Sequence, residues 1–240
     1  MRFAAVIPAG LAACSPFAVT PPARTFAFDS PSVPAVGHGD VQLDAASSTQ
    51  GVFSPTVDST GGQLRTSLAP NTAIVASAEE MTVEDSGSTP LDHHAYAGRI
   101  GAVIASDGHH VALTFGAGAG TAAAAGKWGS ADLGGVVSGA NRWIRPMLGV
   151  SIGYSQPFSR RPFTVSDGSD PPQPVVLELP TNVIFRIDFG LELGPPELAV
   201  ILGVSAVRFF MVEPDVVSGD GDPSSSEPFM TAGVAARVAL

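Results

Sequence analysis

Residues 183–193 read Val183-Ile184-Phe185-Arg186-Ile187-Asp188-Phe189-Gly190-Leu191-Glu192-Leu193. Every odd position is large and apolar, whereas the even positions include Arg186, Asp188 and Glu192. Alternate side chains of a strand point to opposite faces, so the spacing predicts a β-strand with one oily face and one charged face. A sheet follows, and the fold turns on which of the two faces looks inward.

The same alternation recurs on either side. In 143–155 the set Ile144, Pro146, Leu148, Val150, Ile152, Tyr154 opposes Trp143, Arg145, Met147, Gly149, Ser151, Gly153, Ser155. In 229–240, Met230, Ala232, Val234, Ala236, Val238 and Leu240 oppose a face holding Arg237, and in 96–104 Tyr96, Ile100 and Ile104 oppose Arg99. The second face is chiefly Gly, Ala and Ser with isolated charges. A soluble barrel would cover that face with Lys, Glu and Thr; small residues and a few opposite charges suit a narrow lumen in which charges pair. The apolar stripes are therefore expected to look outward.

Composition points the same way. Charged residues make up 14% of the 240, there are 27 glycines, and the mean hydropathy is +0.27. No apolar run reaches the roughly 18 residues of a spanning helix. A chain of this kind can cross a membrane only as a closed barrel, where every backbone group is paired. The formal charge of −10, with one lysine among 12 basic residues, makes nucleic acid an unsuitable partner, because phosphate binding needs clustered cations. The single cysteine excludes a disulfide framework.

That cysteine stands at a telling position. Residues 1–13 carry Arg2, a short apolar stretch and small residues, then Cys14, as a secretory signal does. Leu11-Ala12-Ala13-Cys14 resembles the lipobox of bacterial lipoproteins. The resemblance implies cleavage before Cys14, a diacylglyceryl group on its sulfur, and further acylation such as palmitate. Two or more acyl chains hold a protein at a membrane stably where one does not.

Residues 14–62 are rich in Pro, Ser, Ala, Thr and Asp and are expected to be a disordered lipidated linker. Eight strands follow within a 63–240 domain: 63–79, 94–105, 109–118, 129–140, 142–156, 181–194, 197–212 and 228–240. Pro70 interrupts the first. The links alternate between tight turns, at 106–108, 140–141 and 195–196, and long polar loops at 80–93, 119–128, 157–180 and 213–227. This series resembles the small outer-membrane β-barrels, and the resemblance implies an all-β, eight-stranded, antiparallel up-and-down transmembrane barrel with short periplasmic turns and longer outer loops. It also implies a lumen network of Arg99, Asp132, Arg145, Arg186, Asp188, Glu192 and Arg237, and an interfacial aromatic girdle of Tyr96, Trp128, Tyr154 and Phe210 near the loop-side strand ends. The linker would start from the periplasmic side.

Other candidate chemistry is weaker. Gly149-Val150-Ser151-Ile152-Gly153 matches G-x-S-x-G, but a nucleophile elbow needs a sharp strand-to-helix turn and the alternation runs straight through Ser151. Glycines 116, 118 and 120 lack the helix of a dinucleotide loop. His93-His94 and His109-His110 lie too far apart on a hairpin to share a metal, and no metal or cofactor is expected. Acidic residues, among them Asp29, Asp40, Asp44 and Glu79, read as solvated tail and loop-edge charges.

The expectation is a monomeric, non-enzymatic outer-membrane lipoprotein, in contact with membrane lipid through Cys14 and the barrel exterior. Its acidic outer loops would serve an envelope-structural, adhesion or interaction role toward an unknown envelope or extracellular partner. A periplasm-facing, lipid-anchored soluble barrel binding an apolar ligand is the alternative, and an envelope lipid hydrolase a third.

Overall fold

The computed structural model describes residues 22, 24–25, 29–49, 56–84, 93–123, 126–160, 163–166, 174–177, 179–195, 197–212 and 229–240. The expected signal, residues 1–13, and the expected acyl acceptor Cys14 lie outside them.

Twelve strands form: β1 (Gly39–Thr49), β2 (Thr56–Ala69), β3 (Thr72–Glu84), β4 (His93–Ala105), β5 (Val111–Ala122), β6 (Gly126–Ser138), β7 (Ile144–Arg160), β8 (Phe163–Ser166), β9 (Pro174–Leu177), β10 (Asn182–Leu193), β11 (Leu198–Met211) and β12 (Phe229–Ala239). Ten of them close into an antiparallel barrel in the order β1-β12-β11-β10-β7-β6-β5-β4-β3-β2, and β8 pairs with β9 as a separate hairpin. The barrel thus has ten strands, not eight, and it begins at Gly39 rather than at residue 63.

The extra strands arise because the expected linker supplies β1 and the first half of β2, and the expected 63–79 strand splits between β2 and β3. In β1 the inward set Asp40, Gln42, Asp44, Ala46 and Ser48 is buried, while Leu43, Ala45 and Ser47 are exposed. The period is two, but the inner face is polar and the outer face fades into small residues, so average hydropathy conceals the strand. The expected first strand at 63–79 is in fact the end of β2, a turn at Pro70-Asn71 and the first part of β3. Proline belongs in such a turn, where it costs no ladder hydrogen bond. The expected 119–128 loop shrinks to residues 123–125, since Gly-Ala alternation continues β5 to Ala122 and β6 starts at Gly126.

Closure is made by β1, which pairs with β2 on one side and with β12 on the other, from Asp40 opposite Ala239 to Thr49 opposite Met230. At the end of the barrel holding Gly39 and Leu240, joined by the Leu240 N–H to Gly39 C=O bond of 2.8 Å, the connections are short: 70–71, 106–110, 139–143 and 194–197. We call this the turn end. The loop end carries the links 50–55, 85–92, 123–125, 161–181 and 212–228.

The apolar stripes face outward. Leu43, Ile100, Leu113, Leu133, Ile152, Phe189, Leu202 and Val234 are all exposed, on eight different barrel strands, with Ile100 at 69% and Leu43 at 65%. A soluble barrel with these stripes buried is therefore not what the chain builds. The β11 strand, apolar on both faces, fits because its inward residues Ala199, Ile201, Val207 and Phe209 are buried in clusters toward the two ends of the lumen.

Glycine shapes the inner wall. A Cβ at Gly116 would fall 2.5 Å from the Arg99 guanidinium carbon, and one at Gly120 would overlap the Trp128 ring. Both large side chains thus lie flat along β5, against a row of inward glycines. Gly116→Val should destabilise the barrel by about 1–3 kcal/mol through overpacking, read from urea unfolding, whereas Gly98→Ala, where a Cβ would lie 3.7 Å from Ser77 O, should be close to neutral.

Candidate functional site: a charged lumen with an internal segment

The inward charges pair. Arg99 of β4 donates two bonds to Asp132 of β6, at 2.7 and 2.6 Å. Arg145 of β7 and Arg237 of β12 both bond Oε1 of Glu192 on β10. Arg186 lies 3.0 Å from Asp188 two residues along its own strand, and Asp188 also accepts a 2.5 Å bond from Ser205 of β11. All seven charges read from the sequence as a lumen set thus occur on the inner face, in three groups. Arg99, Arg186, Asp188, Glu192 and Arg237 are buried, and one of them left unpaired would carry a large desolvation cost.

The structure adds charges that alternation within 63–240 did not reveal. Arg65 of β2 forms a two-bond pair with Asp40 of β1, at 2.8 and 2.5 Å. Asp44 and Glu79, read as solvated, are buried on β1 and β3, as is Asp29 before the barrel. Recognising β1 as a strand would have found Asp40 and Asp44. No period marks Arg24 or Asp29, because they belong to no strand.

These last residues belong to a segment that occupies the lumen. Backward from Gly39 the chain turns into the barrel. Val33 packs in the apolar cluster with Ala73, Val103, Ala112 and Met147 near the turn end. The Arg65 guanidinium donates to the carbonyls of Ser30 and Ser32, each at 3.1 Å. Higher up, Arg24 bonds Asp29 at 3.1 Å, Gln63 at 2.6 Å and Asp44 at 3.5 Å. The Thr25 N–H donates to Glu79 at 2.7 Å, and Arg186 donates to the Arg24 carbonyl at 3.2 Å. The expected free linker is thus, at residues 24–25 and 29–33, an internal element of the barrel. A cavity of about 70 Å³ remains beside it, lined by Pro22, Arg24, Asp29, Arg99, Asp132 and Arg186 among others.

The aromatic residues divide. Tyr96, Tyr154 and Phe210 are exposed on the exterior, with Tyr96 donating to Glu80 at 3.1 Å. Trp128 does not join them. It is 0% exposed and packs inside with Met81, Ala95, Ala97 and Leu179. Alternation along β6 puts it on the same inner face as Asp132, four residues on, the irregularity at Lys127/Trp128 leaves β7's Phe158 unpaired, and the inward Gly120 leaves room for the ring. At the turn end Trp143 is exposed, with Arg142 6.0 Å from its ring centroid.

Ser151 lies in the middle of β7, with strand on both sides, so the G-x-S-x-G match has no elbow. His109 holds a positive φ of 54° in the 106–110 turn and meets Asn71 at 3.2 Å, while His94 meets Glu80 at 3.1 Å near the loop end.

No family model matches the chain, and no curated protein sequence does. Solved structures do share its architecture. The N-terminal β-barrel domain of Pseudomonas aeruginosa OprF is 10% identical with a TM-score of 0.35, over 84% of this chain and 97% of that one. Neisserial surface protein A (NspA) is 10% identical with a TM-score of 0.41, over 84% and 95%. The β domain of the Bordetella autotransporter BrkA is 11% identical with a TM-score of 0.44, over 84% and 99%. At such identities the likeness concerns the β-barrel alone.

Glu192 holds two arginines and is itself fully buried. Glu192→Gln should therefore cost about 3–5 kcal/mol by leaving buried charge uncompensated, measured as a lower urea midpoint.

Proposed function

We propose that this protein is an outer-membrane lipoprotein barrel, closed at rest, that displays acidic loops on the outer surface of a bacterial envelope without catalysing a reaction. The observation that carries this reading is the exterior. Exposed Leu, Ile, Val or Phe side chains stand on all ten barrel strands, most densely from β4 to β12 and thinly on β1 to β3, around an interior that holds the ion pairs, the reverse of a water-soluble protein. Exposed apolar patches of this extent mark a surface that meets lipid or another protein, and a belt running round a closed barrel suits lipid. Tyr96, Tyr154 and Phe210 toward one rim, and Trp143 at the other, fit the two interfacial levels where amphipathic rings settle.

The longer loop-end links carry Asp85, Asp92, Asp167, Asp170, Asp215 and Asp220, among other acids. With the short turns facing the periplasm, these links face outward and suit recognition of a cationic surface or a cation-bridged partner. Cys14 is the proposed acyl acceptor. Ionic pairs and the internal segment fill the lumen, which supports an anchoring and display role for the resting protein.

Three measurements test this reading. Folded protein in detergent should migrate faster on a gel before heating than after. Labelled palmitate should be incorporated and lost in Cys14→Ala, and recovery of unlabelled wild-type protein in the soluble fraction would overturn the reading. In lipid, Ile187→Phe at mid-strand should be tolerated, whereas Ile187→Arg should cost about 2–4 kcal/mol; equal tolerance of both would place that face away from lipid.

A further inference from the structure

The segment within the lumen occupies a particular seat. Asp44 of β1 and Glu79 of β3 flank the same residue, Gly61 of β2, with which both are in register. A Cβ at Gly61 would lie 3.3 Å from Asp44 Oδ1 and 3.2 Å from Glu79 Cα. Two carboxylates thus face the lumen side by side across a glycine. No cation from the wall is bonded to either among the described residues. Arg24 supplies the charge, bonding Asp44 directly, and the next residue satisfies one Glu79 oxygen through its N–H. The other oxygen, Glu79 Oε1, is buried with no hydrogen-bond partner, in a residue only 5% exposed. The wall's other carboxylates keep wall arginines of their own: Asp40 with Arg65, Asp132 with Arg99, Asp188 with Arg186, and Glu192 with Arg145 and Arg237.

The segment is joined to the barrel differently from any strand. Its described backbone-to-wall bonds at 37–38 are Gly37 N–H to Ser67 C=O at 3.5 Å and Ser67 N–H to His38 C=O at 3.0 Å. Above that level it is held by side-chain bonds and by Val33. Bonds of this kind exchange for water at small net cost, whereas the strand ladders open only with the barrel. Arg99 and Trp128 lie against glycines of the wall, which leaves the middle of the lumen to the segment. With strands about 4.8 Å apart and tilted by about 40°, ten strands give a wall radius of roughly 10 Å against roughly 8 Å for eight.

We propose that the segment described at residues 22, 24–25 and 29–36 is a displaceable occupant of a cation-conducting lumen, with Arg24 standing in the seat that Asp44 and Glu79 offer to a permeant inorganic cation. This rests on the membrane-barrel reading and gives it an activity. When the segment leaves, the wall pairs persist, and the two freed carboxylates outweigh the one surplus arginine at Glu192; they set a negative potential where they stand, which concentrates cations there and repels anions.

The test uses planar bilayers with a KCl gradient, and heat-dependent gel migration reports that each barrel has formed. Full-length protein should be closed with rare openings. Arg24→Ala should make openings at least about tenfold more frequent, because the charge-assisted bonds that hold the segment are lost. A chain lacking 22–36 should stay open, with K⁺ roughly threefold or more permeant over Cl⁻, and adding Asp44→Asn and Glu79→Gln, which leaves the surplus arginine at Glu192 unopposed, should bring the ratio to about 1 or below. A folded shortened barrel that conducts nothing, or whose ratio ignores those two substitutions, overturns the proposal. Should the shortened chain not fold, Arg24→Ala decides, and openings at the wild-type frequency overturn it. Failure of the full-length protein both to insert and to show heat-dependent migration overturns the membrane reading, and this inference with it.

Discussion

Closure of β1 onto β12 is the constraint on which the rest depends. An open edge would leave a row of backbone N–H and C=O groups unpaired, which neither lipid nor a buried environment tolerates. The ladder from Asp40–Ala239 to Thr49–Met230 removes that edge, and it does so with a strand whose outer face ends in Ala45 and Ser47. Backbone pairing, more than side-chain hydropathy, makes β1 part of the wall.

Ten strands then impose a second requirement. Side chains alone fill an eight-stranded interior, but the wider ring leaves space along its axis. Here the chain itself occupies that space, from Val33 in the apolar floor to Arg24 among the carboxylates higher up. The wall accommodates it by drawing large groups aside, with Arg99 against Gly116 and Trp128 against Gly120. The glycine-rich β5, which suggests a flexible loop when read by composition, is the surface that permits this arrangement.

The charges inside follow from burial. Arg and Asp or Glu come in groups because an isolated ion at this depth costs more than any single contact returns. Their groups also tie distant parts of the chain, since Glu192 joins β7, β10 and β12 while Arg24 joins the segment to β1 and β2. Removing one member leaves its neighbours charged and buried, so the network specifies strand neighbours as well as filling volume.

The sequence by itself determined the antiparallel strands β4 to β7 and β10 to β12 around the lumen, the outward direction of their apolar stripes and the inward set from Arg99 to Arg237, while the β8–β9 hairpin lies in what reads as the 157–180 loop. Period two is a local property, written in each segment independently of what it pairs with. Tertiary structure alone decided the strand count, the incorporation of 39–49 and 56–62 into the wall, the space beside Gly120 that admits Trp128, and the place of residues 24–25 and 29–33 in the lumen. Polar inner faces and small outer ones give β1 and β2 little hydropathic contrast. The internal segment has no period at all, since its place is set by partners such as Gln63, Glu79 and Arg186, which come together only when the barrel closes.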